Sequence, residues 1–534
     1  MKLDYKKTIF VGFAFLLICM FWQVYDNIIA KILINSFGLN QTWSGLIMAI
    51  DNILAIILLP IFGIWSDKTK NKHGKRTPYI LIGTIVAAIL IVGVSFFDNS
   101  QLAKLNAAEI GAVETVEVDT SEQSEYDVYV IKGEEESEDG ALASIKAFFS
   151  NLGSDTEDEL VLETSTYEDG DKLYSYEYEG TTTYFESKEE ASNSRSINAG
   201  EVREGNLGIF IGMVTLICLV LVAMASFRTP AVALMPDVTP KPLRSKANAI
   251  INLMGTVGGV TALLFLKVLA KDYQSYTGTF ICLGVLMVIC LGIFLWKVNE
   301  PKLVHERLEE EKEYGIQEVE SIEEENKEID KKMPRDVKIS FILILCSIVF
   351  WFMAYNAATS KFSVYAGIVL DTGYAMPLLV AQGVAILCYI PIGIIASKIG
   401  RKKTVIIGIC ILASAFLLGS FLREGSAGLI YVTMGLAGMG WATINVNSYP
   451  MIVEMSKGGN VGKYTGIYYT ASMGAQIMTP ILSGILMDAA GTMTVLFPYC
   501  VIFAIFALIT MSFVKHGDSK PIPKSKIEAL GEED

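Results

Sequence analysis

The chain has 534 residues, 52% of them hydrophobic, so a soluble fold would have to hide an apolar excess that a bilayer hides naturally. Its net charge of −14 would repel an anionic membrane surface if it were spread evenly, but residues 98–205 alone hold 28 acids against 7 bases. The remainder is about +7 and its bases are unevenly placed. All eight cysteines fall in apolar stretches, which excludes a disulfide framework or a zinc site. The three histidines (His73, His305, His516) stand apart from any cysteine or serine with a supporting acid. No enzyme activity, cofactor, metal or nucleic-acid partner is expected.

Apolar windows of about 20 residues, the length that crosses roughly 30 Å of hydrocarbon, recur about twelve times. They cover 8–35, 42–65, 78–97, 206–228, 246–270, 277–297, 338–362, 375–396, 404–422, 427–450, 464–488 and 494–514. The first is too long for a signal peptide, lacks a small-residue cleavage site, and is followed at once by another. It stays as span 1.

Span 1 carries Gln23, Asp26 and Asn27, and span 2 carries Asp51, followed like Asp26 by an asparagine. An unpaired charge in hydrocarbon costs several kcal/mol, so an intramembrane carboxylate is usually kept for a proton, an ion or a ligand. Antiparallel neighbours place Asp26 and Asp51 at similar depth, where each can change protonation as water access changes. Both are proton-coupling candidates. The structural alternative is a partner for Lys31 or Arg228.

Lysines 2, 6 and 7 precede span 1; Lys68, Lys70, Lys72, Lys75 and Arg76 follow span 2; Lys241, Arg244 and Lys246 follow span 4; Lys398, Arg401, Lys402 and Lys403 follow span 8. These loops share one side, which the positive-inside rule makes cytoplasmic. Both termini then lie inside, residues 98–205 lie outside, and the cell membrane is the expected location.

Two signatures on that side recur. Gly63–Pro78 reads GIWSDKTKNKHGKRTP and returns as GIIASKIGRKKT at 393–404; Pro236–Ile250 reads PDVTPKPLRSKANAI and returns as VEMSKGGNVGKYTGI at 453–467. Gly74 and Gly400 differ by 326 positions, Asp237 and Glu454 by 217, so the first half holds about 109 extra residues between its signatures. That is the size of segment 98–205, which is therefore read as an insertion between spans 3 and 4. Its runs VETVEV, YDVYVI, LVLETSTY and DKLYSYEYEG predict strands, and ALASIKAFFSNL predicts an amphipathic helix. A small α+β domain follows, either a solvated spacer or a docking or lid domain.

The expected organisation is therefore a first bundle from 1–97 and 206–297 around the inserted domain 98–205. A cytoplasmic linker (298–337), flexible or partly helical, a second bundle (338–514) and a cytoplasmic tail (515–534) follow. The fold class is all-α membrane protein, twelve transmembrane helices in two six-helix pseudo-repeats.

Polar stripes at helical spacing turn one face of several spans away from lipid: Gln23 and Asn27; Asn248, Asn252 and Thr256; Trp441, Asn445 and Ser448; Thr465, Tyr469, Ser472 and Gln476. Tyr355, Asn356 and Lys361 of span 7 and Gln382 of span 8 extend the set, although Lys361 at the outer surface would snorkel instead. Amides and hydroxyls match sugar hydroxyls and aromatic faces stack on a pyranose ring, while hydrogen bonding between helices is the competing use.

The loop His73-Gly74-Lys75-Arg76-Thr77-Pro78, with the acid of GIWSD before it, resembles the major facilitator superfamily over the whole chain outside 98–205. Within it the chain is most similar to the sucrose/proton symporters and the glycoside-pentoside-hexuronide cation symporters, whose loop reads Gly-Arg-Arg-Arg-Pro where this chain has Thr77 in the third basic place. The stretch ALMPD at 233–237 resembles the same group; plant members carry a sugar-binding arginine just before it, where this chain has Val232, and Arg228 lies one turn earlier. The resemblance implies that Asp67, Lys75, Arg76, Asp237, Arg401 and Glu454 latch a cytoplasmic gate.

The leading expectation is uptake of a small molecule, a sugar or glycoside, coupled to a proton (or sodium) by alternating access. Cation or drug efflux is the second reading, weakened because Gly255-Thr256-Val257-Gly258-Gly259 lacks the proline of antiporter span 5. The third is a non-transporting sensor working through the external domain and an unidentified partner.

Overall fold

The computed structural model describes residues 3–121, 123–131, 160–240, 243–313, 335–454 and 461–516. The expected helix at ALASIKAFFSNL lies outside the described residues. Among the described residues twelve long helices form the bundle. In the first half they are α1 (Tyr5–Lys31), α2 (Gln41–Lys68), α3 (Thr77–Ala107), α5 (Leu207–Val238), α6 (Arg244–Leu269) and α7 (Thr277–Lys297). In the second they are α9 (Arg335–Ile368), α10 (Ala375–Ile399), α11 (Arg401–Gly419), α12 (Ala427–Glu454), α13 (Val461–Ala490) and α14 (Leu496–Ser512). Among the described residues two further helices stand outside that set, α4 (Lys188–Glu204) in the insertion and α8 (Glu300–Glu313) after α7.

Among the described residues, ten helices are long and apolar enough to cross a membrane. Ala375–Tyr389 of α10 is a further, shorter apolar stretch among the described residues. The remaining member, α13, carries polar residues along its length, from Tyr468 to Asp488.

Local chemistry sets the helix starts. Asp4 and Asn40 accept hydrogen bonds from the backbone N–H groups of Lys7 and Trp43, capping α1 and α2, and Pro78 sits in the first turn of α3. A π-helical turn, Ile32–Ser36, prolongs α1. The halves meet closely along α2 and α13, where a Cβ on Gly45 would collide with the Pro480 carbonyl and one on Gly484 with the Gln41 carbonyl. Glycine at these two places lets the backbones touch, the small-residue packing that membrane helices use in place of a hydrophobic driving force.

Two expectations need correction. Span 3 ends at 107 rather than 97: Asp98 and Gln101 are fully buried and Asp98 accepts a 2.8 Å hydrogen bond from the Ser36 hydroxyl, so three polar-looking turns remain helix by packing inward. Residue 300, in the stretch read as a flexible or partly helical linker, is buried at the start of the helix α8 rather than lying in a flexible segment.

Between α3 and α5 five strands form one sheet: β1 (Glu114–Glu117), β2 (Glu125–Ile131), β3 (Leu160–Thr166), β4 (Lys172–Tyr178) and β5 (Thr181–Phe185). Their order is β1-β4-β5-β2-β3, antiparallel except for β2 beside β5, where Val128 faces Tyr184. One face buries Tyr174, Tyr176 and Phe185 with Ala191 of α4; the other gathers Val118, Tyr126, Val128 and Leu173. The Tyr176 hydroxyl lies 2.8 Å from the Ser194 hydroxyl and accepts from Asn198, tying α4 to the sheet. Ser187 caps α4, and Glu189 and Glu190 in its first turn suit the positive end of the helix dipole.

Candidate functional site

Inside the bundle, α1, α2 and α5 bring Asp26, Asp51 and Arg228 into one electrostatic neighbourhood. The Arg228 charge acts on both carboxylates, on the Cys19 thiol of α1 and on the Tyr469 phenol of α13, and the two carboxylates act on each other. Among the described residues Arg228 forms no ion pair within 4.0 Å. Its guanidinium instead lies 5.5 Å from the centre of the Trp22 ring, a cation–π distance. Asp51 stands ten residues into α2, about 15 Å along the helix and so near mid-membrane. Its Oδ1 accepts from the Asn52 backbone N–H at 2.5 Å and the Asn52 side chain at 2.6 Å. Lys31 is not the partner of Asp26: it forms a 2.5 Å ion pair with Asp272 in the turn after α6 and lies 4.5 Å from the Tyr374 ring centre.

The second half holds an aromatic platform. Tyr355 of α9 and Trp441 of α12 stack with ring centres 4.0 Å apart and planes 8° from parallel. Gln382 of α10 donates to Gln23 of α1 at 2.8 Å, bridging the halves, and both lie beside Gly259 of α6. Buried polar atoms without a hydrogen-bond partner include the Trp22 indole N–H, the Gln382 amide oxygen and the Asn356 amide nitrogen. Such groups are costly to leave dry and are where a hydroxyl-rich ligand or water bonds.

Other candidates are engaged differently. Asn27 is buried and donates to the Gln23 carbonyl one turn back at 2.8 Å. Ser472 and Gln476 likewise bond within α13, to the carbonyls of Tyr469 and Ser472. Asn445 is exposed and hydrogen-bonds the Tyr389 phenol, and Tyr469 is 54% exposed. Asn252 is exposed on α6; the side chains of Asn248 and Glu454 lie outside the described residues.

At the basic end of the bundle, Arg76 is 5% exposed and pairs with Asp67, donates to the Ser66 hydroxyl, and meets Asp237 through Nε at 2.8 Å. Lys75 lies 3.2 Å from the same Asp237. Arg401 begins α11 and is half-buried. Glu300 escaped the sequence reading: its carboxylate accepts from the backbone N–H groups of Lys75 at 2.8 Å, Arg76 at 3.0 Å and Thr77 at 2.8 Å, and from the Thr77 hydroxyl at 2.8 Å. A carboxylate is thus seated on the positive N-terminus of α3 and crowds Gly74, whose φ of +102° an L side chain rarely adopts. Asn299, whose side chain accepts from the Lys302 N–H, and Pro301 mark a helix start and were the available signal.

Residues 205–389 and 372–532, together more than half of the chain, match the family described as Major Facilitator Superfamily. The chain belongs to the Major Facilitator Superfamily. It is a multi-pass membrane protein. Residues 10–155 of this superfamily member also match the family described as MFS/sugar transport protein. Sucrose transport protein SUC3 of Arabidopsis thaliana is 33% identical over 63 residues, and sucrose transport protein SUT4 of Oryza sativa subsp. indica is 29% identical over 63 residues. Each match covers 12% of this chain and only 11% of the relative. The inward-open xylose transporter XylE from E. coli superposes with a TM-score of 0.54 at 13% identity, covering 98% of this chain and 99% of that one. A bacterial homologue of the iron transporter ferroportin gives 0.58 at 10% identity, over 96% and 100%. At such identities the likeness establishes the superfamily fold alone.

Proposed function

We propose that this facilitator is a secondary carrier that moves a sugar or glycoside together with a proton by alternating access, the halves rocking about the central group. The observation that carries the reading is the grouping of Asp26, Asp51 and Arg228 at mid-bundle. Two ionised carboxylates and one guanidinium leave one negative charge in a partly desolvated space, a charge that one bound proton neutralises. The stacked Tyr355 and Trp441 offer an apolar face, and Gln23, Gln382 and Asn356 offer donors and acceptors, a combination suited to a pyranose rather than a lipophilic cation. The sugar-transport family match and the sucrose transport proteins support the substrate class.

In this reading the end that carries the basic loops at 68–76 and 401–403 faces the cytoplasm, which the positive-inside rule supports, and the inserted sheet lies outside. The Arg76 group then holds helix ends of the first half together on the cytoplasmic side.

The test is proton flux in proteoliposomes presented with a panel of mono- and disaccharides. At least one sugar should alkalinise the side it leaves, and Asp51→Asn should uncouple the two fluxes, reducing sugar-driven proton movement at least tenfold. No response to any sugar, or normal coupled transport by Asp51→Asn, would remove the reading.

A further inference from the structure

The inserted sheet and α4 are joined by chain to the first half, yet they also hold the second. On the first-half side Arg195, almost fully buried, donates to the carbonyls of Gly111 at 2.5 Å and Asn35 at 2.6 Å and lies 4.5 Å from the Tyr273 ring centre. Arg203 donates to the Phe37 carbonyl at 3.1 Å. These two anchors lie at the middle and in the last turn of α4. Its first turn faces the other half: Lys188 pairs with Asp371 in the turn between α9 and α10, and Glu189 accepts from the Thr492 hydroxyl at 2.9 Å and from the Met493 backbone N–H, between α13 and α14. Lys172 of β4 adds a 3.7 Å contact to Glu424, between α11 and α12. One small domain therefore touches all three connections of the second half at that end.

Helix α4, 17 residues and about 25 Å long, is long enough to cross the seam. Its anchors divide accordingly, arginines on one side and the Lys188–Glu189 pair on the other. Resting on the alternating-access reading, we propose that α4 is a strap that clamps the two halves at the insertion end, so that this end opens only when Lys188 and Glu189 let go of the second half. The Lys188–Asp371 pair suits a clamp because its side chains are 17% and 26% exposed, so removing one partner leaves the other charge poorly solvated.

The experiment measures distances by electron–electron resonance in the full-length chain, with native cysteines replaced and spin labels at Lys104→Cys and Phe421→Cys on the insertion end. A second label pair, Lys68→Cys and Lys338→Cys, reports the basic end. Lys188→Asp and, separately, Asp371→Lys should each enlarge the long-distance population at the insertion end at least threefold, and the double variant Lys188→Asp/Asp371→Lys should restore the short one. An unchanged distribution in the single variants, or no restoration in the exchange, overturns the strap. If the basic-end pair samples two separations while the insertion end ignores Lys188, only the strap fails. If neither pair shows a second population in any variant, alternating access fails with it.

Discussion

At the insertion end, Lys361 of α9 is buried and donates to the Gln41 backbone oxygen at 2.9 Å and side-chain oxygen at 3.1 Å, while Asp488 of α13 accepts from the Gln41 and Thr42 N–H groups at 2.9 and 2.8 Å. At the basic end, Arg76, Asp67, Asp237 and Glu300 bind one another's elements without leaving the first half and the helix that follows it. The first set joins halves, with Asp488 placed on the positive end of α2; the second knits one half together. Contacts that cross the seam must break whenever that end opens. Contacts within one half travel with it as a body. The structure is thus closed at the insertion end by groups able to serve as a switch, and braced at the basic end by groups that serve as a frame.

The largest expected effect breaks the frame. Arg76→Ala leaves Asp237 with Lys75 alone and Asp67 without its pair, and should cost about 3 kcal/mol of stability, through the charge-assisted hydrogen bonds that the buried guanidinium makes to Asp237 and Ser66, while Asp67, 59% exposed, adds little. Thermal or denaturant unfolding of the purified protein measures it, and an unmoved midpoint would contradict the bracing role. Next, Lys361→Met keeps side-chain volume but removes two charge-assisted bonds, worth about 1.5–3 kcal/mol in favour of the closed end. The closed-to-open ratio reported by the Lys104 and Phe421 labels should fall about tenfold or more; an unchanged ratio would show that these bonds do not hold the seam.

A subtler effect comes from Glu189. Burial pushes its carboxyl up to about 7, against the opposing pull of its hydrogen bonds from Met493 and Thr492; Glu190 on its own helix also raises it, Arg423 after α11 lowers it, and Tyr365 of α9 faces the same group. A raised value means the docked helix holds its proton more tightly than the released one. Docking is therefore fully favoured below the ordinary glutamate range and weakens as pH rises through about 7. Hydrogen exchange of the first turn of α4 should show protection falling over that interval, and Glu189→Gln should flatten the profile; a pH-independent wild type would remove Glu189 from the switch. The smallest effect is Lys172→Ala, whose exposed 3.7 Å contact is worth less than about 0.5 kcal/mol, so its label distances should match the wild type.

Much of the fold was legible because hydropathy is a local property. Windows such as 277–297 coincide with α7, and the four named strand runs overlap β1 to β4. Strand β5, with its threonine run, and the polar helix α4 were passed over, since neither carries a strong periodic apolar signal. Among candidate residues, the carboxylates Asp26 and Asp51 drew notice because charge in an apolar window is rare, and both lie beside Arg228. Asn27, Ser472 and Gln476 looked equivalent to Gln23 in the sequence, but bond within their own helices. An amide or hydroxyl at helical spacing satisfies itself on the preceding turn as readily as it faces a cavity, and spacing does not distinguish the two.

By itself the sequence determined that the chain spans a membrane many times, that its halves repeat, and that an acidic block interrupts the first. Those facts follow from composition and periodicity, which need no knowledge of neighbours. Only the tertiary structure decided that Lys31 belongs to Asp272, that Glu300 caps α3 from 223 residues away, and that α4 reaches the second half through Lys188 and Glu189. Partners so distant along the chain are chosen by packing, and a charge is committed only when the fold has removed its water.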